Sequence, residues 1–375
     1  MIDGPTSSFH ALFGERQLYT FDPKAIHYML VKDDKSYDEP PMLLRLLLLI
    51  FGPNVMSTTL GHQHRKQRKI LNPAFSLAHM KDLTPTIFEI GHKLQTTLTN
   101  KVKDQPQEID ILSWMGRTAL EMIGQGGLGY SFDSMAEQEK PHPFAEDMKR
   151  LFPILARLGW AQIFILPYAV RFGTTKLRKY IAERFPWKDF QEARAISNSM
   201  WEMSKSIYED RKRTLSDTGT LESGKDVLSL MIRENLKASG DERLEEEEMI
   251  GQSALTRMLE VLAQHPEAQH KLRGELSQAF EHGDPSYDDL VALPYLDSVI
   301  RESLRMYPSV SKISRTTTQD TILPLSVPVQ AKDGTIITEI PIMKNTEIQI
   351  SIMNMNRNPN IWGADADTTG NQRGG

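Results

Sequence analysis

The sequence predicts a mainly α protein with small β regions, one near each end of the chain. Three observations carry that expectation. Apolar residues recur at helical spacing through most of the 375 residues. Strict apolar–polar alternation is confined to short stretches near residues 17 and 347. An Asp333-Gly334 pair inside "VPVQAKDGTIITEI" marks a hairpin just before the second of them.

Taken in order, "QLYTF" (17–21) alternates as a strand does. In "FDPKAIHYMLV" (21–31), Asp22 is placed to cap a helix and Pro23 suits its first position. Ile26, Met29 and Leu30 then form an apolar stripe. Helical spacing continues through "RKQRKILNPAF", "FEIGHKLQTTLTNKV", "LSWMGRTALEMIGQ" and "MWEMSKSIYEDRKRTL". A polar linker is expected between about 214 and 226. The Glu245–Glu248 run after it suits the start of a solvated helix, where the dipole favours negative charge. Near the end, "EIQISIMNM" sets Ile348, Ile350 and Ile352 against Glu347, Gln349 and Ser351, the pattern of a half-buried strand. No internal repeat is visible.

The length suits one large domain or two to three ordinary ones. A charged fraction of 25% and a formal net charge of -5 leave no basic footprint for nucleic acid. The chain has no cysteine, which excludes a disulfide, a thiolate nucleophile and a cysteine metal ligand within these residues. "MLLRLLLLIFG" (42–52) is strongly apolar, but Arg45 interrupts it and it falls short of the ~20 residues of a membrane span. It also starts too far in to be a signal peptide, and nothing earlier resembles one. "LFPILARLGWAQIFILPYAVRFG" (151–173) carries Pro153, Arg157, Gln162 and Pro167. It reads as a buried or capping helix pair in preference to a membrane contact.

"GQGGLG" (124–129) matches a dinucleotide-binding fingerprint by letter but follows a helical pattern instead of a strand, so it reads as a helix-ending loop. His62 and His64 are two apart, and His265 and His270 flank Pro266. Neither pair has the spacing that puts two ligands on one helical face, and no H-E-x-x-H or G-x-S-x-G occurs. In "YLDSVIRESLRMYPSV" (295–310), Asp297 and Arg301 occupy the polar side of a helix. Glu302 falls instead inside the apolar arc, beside Tyr295, Val299 and Met306, with Arg305 one turn on.

That E-x-x-R pair stands inside "LPYLDSVIRESLRMYPSV", which is followed by "ISRTTTQDTIL" and later by "NMNRNPNIWG". The order and separations resemble the haem-thiolate monooxygenases, the cytochrome P-450 family, and are nearest its eukaryotic microsomal type. "GHQHRKQRKILNPAFS" (61–76) resembles the family's helix across one haem face. "ALTRMLEVLAQHPEAQHKLRGEL" resembles the second half of its long central helix and the helix after it. The resemblance covers nearly the whole chain.

The resemblance implies a single cytochrome P-450 domain over 1–375, with β-containing parts at about 14–60 and 310–355 and a helical body at about 61–308. It implies haem as cofactor and a hydrophobic small-molecule substrate, whose cavity the apolar stretches would line or cover. It also implies O2 as oxidant, NADPH-cytochrome reductase as electron donor, and residence at the cytoplasmic face of the endoplasmic reticulum membrane. Glu302 and Arg305 match the family's buried structural pair. Arg68 and Arg315 would meet the haem propionates, with His64 where other members have tryptophan. No residue is assigned a catalytic or iron-ligating role, because the family's ligand is a cysteine and this chain has none. Arg305 and Glu302 are expected to lack the third partner that a later Pro/Glu/Arg segment supplies. At Gln252–Ser253, the family's oxygen-activating turns of helix are expected to be missing. The membrane anchor and proline hinge of microsomal members are likewise expected to be missing. The expectation is an incomplete P-450 fold that is catalytically inactive, truncated and internally deleted. The alternative is a non-enzymatic protein that binds hydrophobic ligands or partners with the same helical shell.

Overall fold

Strands from opposite ends of the chain share one sheet. Thr6–His10 (β1), Arg16–Thr20 (β2), Tyr37–Asp38 (β3), Lys312–Thr317 (β4) and Glu347–Ser351 (β7) lie in the order β1-β2-β7-β4-β3. β2 runs parallel to β7, with Leu18 opposite Ile348, and the other neighbours are antiparallel. Thr321–Gln330 (β5) and Ile336–Ile342 (β6) form the expected hairpin as a separate two-stranded sheet. Gly334, beside its turn, has φ +87°, a conformation glycine adopts without strain. The computed structural model describes residues 4–11, 14–51, 65, 69, 76–136, 142–169, 173–217, 226, 228–229, 255–330 and 334–367.

The chain divides into two compact units. The first comprises Met1–Leu43, Ala254–Pro285 and Asp289–Gly375 and holds both sheets. Its core gathers Leu18, Ile26, Met29, Tyr37, Leu323 and Ile348, all buried. The alternation in "EIQIS" explains β7: Ile348 and Ile350 are fully buried. Ile352 departs from the expected pattern, because Ser351 caps a helix that starts there, Ile352–Asn356. Asp22 caps Pro23–His27 as its sequence suggested, accepting from Ala25 N. Ile26 and Met29 face the core, whereas Leu30 is largely exposed.

The second unit, Leu44–Ser253 with Ser286–Asp288, is helical. Helix Leu77–Val102 packs on Ile111–Ile123, and Pro143–Arg157 packs on Lys188–Asp217. Phe132, Phe144, Leu151, Ile154, Ile196 and Met200 fill the core of the latter pair. Lys188–Asp217 continues into the expected linker. Past it, Asp226 is buried, not solvated, because Arg211 and Ser229 both donate to its carboxylate. The stretch 151–173 divides: Leu151, Ile154 and Leu158 are buried, while Trp160, Ile165 and Tyr168 are exposed. Among the described residues no helix is long and apolar enough to cross a membrane. Of "RKQRKILNPAF", only Arg65 and Lys69 are described, both helical and exposed.

Candidate functional site

Helix Pro294–Met306 carries the E-x-x-R pair. Leu293, at its N-cap, has no side-chain acceptor, so the first turn's amides need a partner from elsewhere. Glu275, on helix Pro266–Ala279, supplies it: its carboxylate accepts from Tyr295 N at 3.0 Å and Leu296 N at 2.8 Å. A carboxylate at this end also complements the helix dipole. The contact fixes the rotation of the helix and therefore what each face meets. Asp297 and Arg301 pair at 2.6 Å on the exposed side.

One turn on, Arg305 is buried, with its side chain 5% exposed against 29% for Glu302. Arg305 gives Nε and Nη2 to the two Glu302 carboxylate oxygens, each at 2.7 Å, the fork geometry that suits guanidinium and carboxylate. Its Nη1 donates to the carbonyls of Asn356 at 2.6 Å and Ala366 at 2.8 Å. The Trp362 ring lies 5.2 Å from the guanidinium carbon. Asn356 Nδ2 returns a bond to Arg305 O, and Arg357 Nη2 caps Met306 O at 2.7 Å. The side-chain partner of a later Pro/Glu/Arg segment is thus replaced, at Nη1 of Arg305, by main-chain carbonyls. A buried guanidinium must satisfy its donors, and the main chain around 356 and 366 turns its carbonyls towards them.

Arg315 sits on β4, opposite Ile348 of β7. Its Nη1 lies 2.6 Å from Glu39 Oε1, an ion pair, and donates to Ser314 O at 2.9 Å. His64 and Arg68 lie outside the described residues, as do His62 and the Gln252–Ser253 join. His265 places Nδ1 2.8 Å from Val261 O, and His270 is exposed. Among the described residues no three or more His, Asp or Glu side chains gather as a metal site requires. "GQGGLG" ends its helix as expected: a π-helical turn over Gly124–Leu128 closes on Gly129 at φ +62°.

Sequence reasoning passed over two buried acids. Glu121, within a helix, accepts from Ser131 Oγ, Phe132 N and Asp133 N at 2.6–2.7 Å and so shapes the loop behind the glycines. Asp133 in turn takes a two-pronged bond from Arg117, which stacks on Trp114. Asp22 does more than cap, since Ser326 N and Oγ also donate to it. The signal available was a lone carboxylate at an apolar helical position, the same irregularity that marked Glu302. In the first unit, a surface groove of about 820 Å³ is lined by Phe21, Pro23, Val327, Met353, Arg357 and Ile361, among others. Among the described residues, none that lines it comes from 42–52 or 151–173.

A family model for cytochrome P450 matches residues 8–368. Cytochrome P450 monooxygenase 81 of Postia placenta is 40% identical over 381 residues, a match that takes in 97% of this chain and 69% of the relative. The ganoderic acid synthetase of Ganoderma lucidum is 37% identical over 386 residues, with 97% and 70% covered. The cytochrome P450 monooxygenase eriI of Hericium erinaceus is 32% identical, with 93% and 67% covered. A match along almost the whole chain joins the mainly helical architecture and the buried E-x-x-R knot, and the chain belongs to the cytochrome P450 family.

Proposed function

We propose that this chain carries the helical shell and the E-x-x-R core of a P450 monooxygenase, and that these 375 residues do not by themselves perform its reaction. By family that reaction is the haem- and O2-dependent oxidation of a hydrophobic small molecule. Electrons come from NADPH-cytochrome reductase at the cytoplasmic face of the endoplasmic reticulum. Haem in this family asks for a thiolate on iron, which pushes electron density towards bound oxygen, and for cations around two propionates. The residues present do not supply the iron ligand. They include no cysteine, and methionine thioether is their only sulfur. Arg315 already faces the carboxylate of Glu39. Glu302 and Arg305 hold structure and are spent on each other and on main-chain carbonyls. Arg315, with Arg68 and His64, remains our assignment for the propionate side.

The single observation that carries the reading is the absence of any sulfur anion in the sequence. The 381-residue match takes in 97% of a 375-residue chain, so the relative carries residues without counterparts somewhere along it, as an internal deletion would leave. Reconstituted with haemin, reduced and exposed to carbon monoxide without added thiol, the protein should lack the red-shifted Soret band of a thiolate complex. Reductase-supported oxidation should be absent as well. A thiolate-type band would overturn the proposal. Sequencing the transcript across Gln252–Ser253 tests the deletion.

One observation favours a second reading, a non-enzymatic binder of hydrophobic ligands: the groove walled by Phe21, Val327, Met353 and Ile361. A hydrophobic fluorophore displaced by the change Val327→Trp, with folding intact, would support that reading. Equal binding to both proteins would end it.

A further inference from the structure

We propose that the groove of the first unit takes a small carboxylate with an apolar body, its acid group anchored on Arg357. The inference rests on the reading of that groove as a ligand site. At about 820 Å³ it has the size of a small-molecule site, and Phe21, Pro23, Val327, Met353 and Ile361 give it apolar walls. Val327 and Ile361 keep 50% and 45% exposure, so a bound apolar body would remove their surface from water.

The chain around Arg357 is held on both sides. Ser351 caps helix Ile352–Asn356, and the Arg357 amide donates back to Met353 O at 3.1 Å. Asn358 stands before Pro359, which favours extended backbone, and its Oδ1 accepts from Asn360 N to cap the next helix. The guanidinium itself is positioned by Nη2, which donates to Met306 O at 2.7 Å, and by the Tyr307 ring 5.6 Å from its carbon. Arg305 and Arg315 each have a carboxylate partner. Among the described residues Arg357 has none, and its Nε is buried without an acceptor. Two other polar groups along the groove are already engaged: Ser326 Oγ donates to Asp22, and Asn354 Nδ2 to Tyr19. Asp367 also lines the groove, but it is exposed, where water and salt screen its repulsion of a second acid. Arginine stays charged at any working pH, and a charge-assisted bond is stronger than a neutral one, so a carboxylate is favoured over an uncharged acceptor here.

The test uses the full chain with naphthylacetic acid and its methyl ester, the same ring without charge, and reads binding by naphthalene fluorescence. The acid should bind about tenfold more tightly than the ester. Val327→Trp, at a half-exposed position, should weaken both. Arg357→Gln should bring the acid down to the level of the ester and leave the ester unchanged, with folding checked by thermal melt. Arg357→Lys, which keeps the charge, should retain part of the preference. Equal binding of acid and ester by the unaltered chain overturns the inference without any variant and leaves the groove as a site for neutral ligands. A full preference for acid that persists in a folded Arg357→Gln protein overturns it as well. If neither compound binds, or Val327→Trp weakens neither, the reading of the groove falls and the inference with it.

Discussion

Replacing Glu302 by alanine removes a carboxylate that takes two hydrogen bonds from one guanidinium, and the cost depends on where that guanidinium can go. Arg305 cannot reach water easily. Its side chain is 5% exposed, two carbonyls hold Nη1, and Trp362 covers the guanidinium. Cutting a buried pair from one side typically costs about 3–5 kcal/mol, because a charge is left unpaired. Glu302 is itself 29% exposed, so water can enter the vacated space and recover part of the loss. The expected destabilisation is therefore at the lower end, about 3 kcal/mol. An internal control lies on the same helix. Asp297 and Arg301 pair at 2.6 Å but at 47% and 78% exposure, so Asp297→Ala should cost less than ~1 kcal/mol. Urea unfolding followed by tryptophan fluorescence compares the variants, provided the slope with denaturant is unchanged. Equal costs for the two alanine variants would refute the argument, since Arg305 would then be free to turn outwards.

Asp22→Ala should cost about 3 kcal/mol by the same assay, combining a lost helix cap with a Ser326 amide left unpaired. Asp22→Asn should recover part of that. Gly129→Ala should cost about 2 kcal/mol, because φ is +62° and the new methyl would meet the Arg211 guanidinium at 2.8–2.9 Å. A smaller cost of Gly129→Ala in an Arg211→Ala background than in the parent would identify the contact as a cause. Burial pushes the Tyr37 phenol up to about 12 and Asp33 adds to it. The Thr321 hydroxyl opposes the shift without meeting hydrogen-bond geometry among the described residues. The unfolded chain ionises near pH 10 and the folded one later, so this contribution is intact below pH 10 and lost as pH rises to about 12. Tyr37→Phe should flatten the decline in stability over that window, and an unchanged slope would refute the assignment.

Local pattern was enough to find what depends on local spacing. Asp22 and Pro23 announced a helix start, Asp333-Gly334 a hairpin, and three-residue spacing joined Glu302 to Arg305. What could not be read was any property set by long-range pairing. Nothing near Leu18 indicates that β2 lies parallel to β7. Nothing near Leu293 indicates that Glu275 caps the next helix but one, because the donors are backbone amides that every residue carries. Arg305 is a related case: carbonyls of Asn356 and Ala366 accept from its Nη1, and carbonyls leave no mark in sequence. Nor does composition show that Asp226, at the edge of the expected linker, is buried where Arg211 and Ser229 donate to it.

Two arginines of the first unit, Arg305 and Arg315, show why a shared residue type does not mean a shared role. Arg305 has its carboxylate three residues away on the same helix, so the pair forms as soon as the helix does, and carbonyls then seal it from water. Arg315 has its carboxylate across a strand pair, and both groups keep contact with solvent. Salt screens the second arrangement and hardly touches the first, because mobile ions act where water does. Raising ionic strength should therefore loosen Arg315 from Glu39 while Arg305 stays locked. A fold arranged this way fixes its E-x-x-R core by helix spacing and main-chain carbonyls, and leaves the Arg315–Glu39 pair open to solvent.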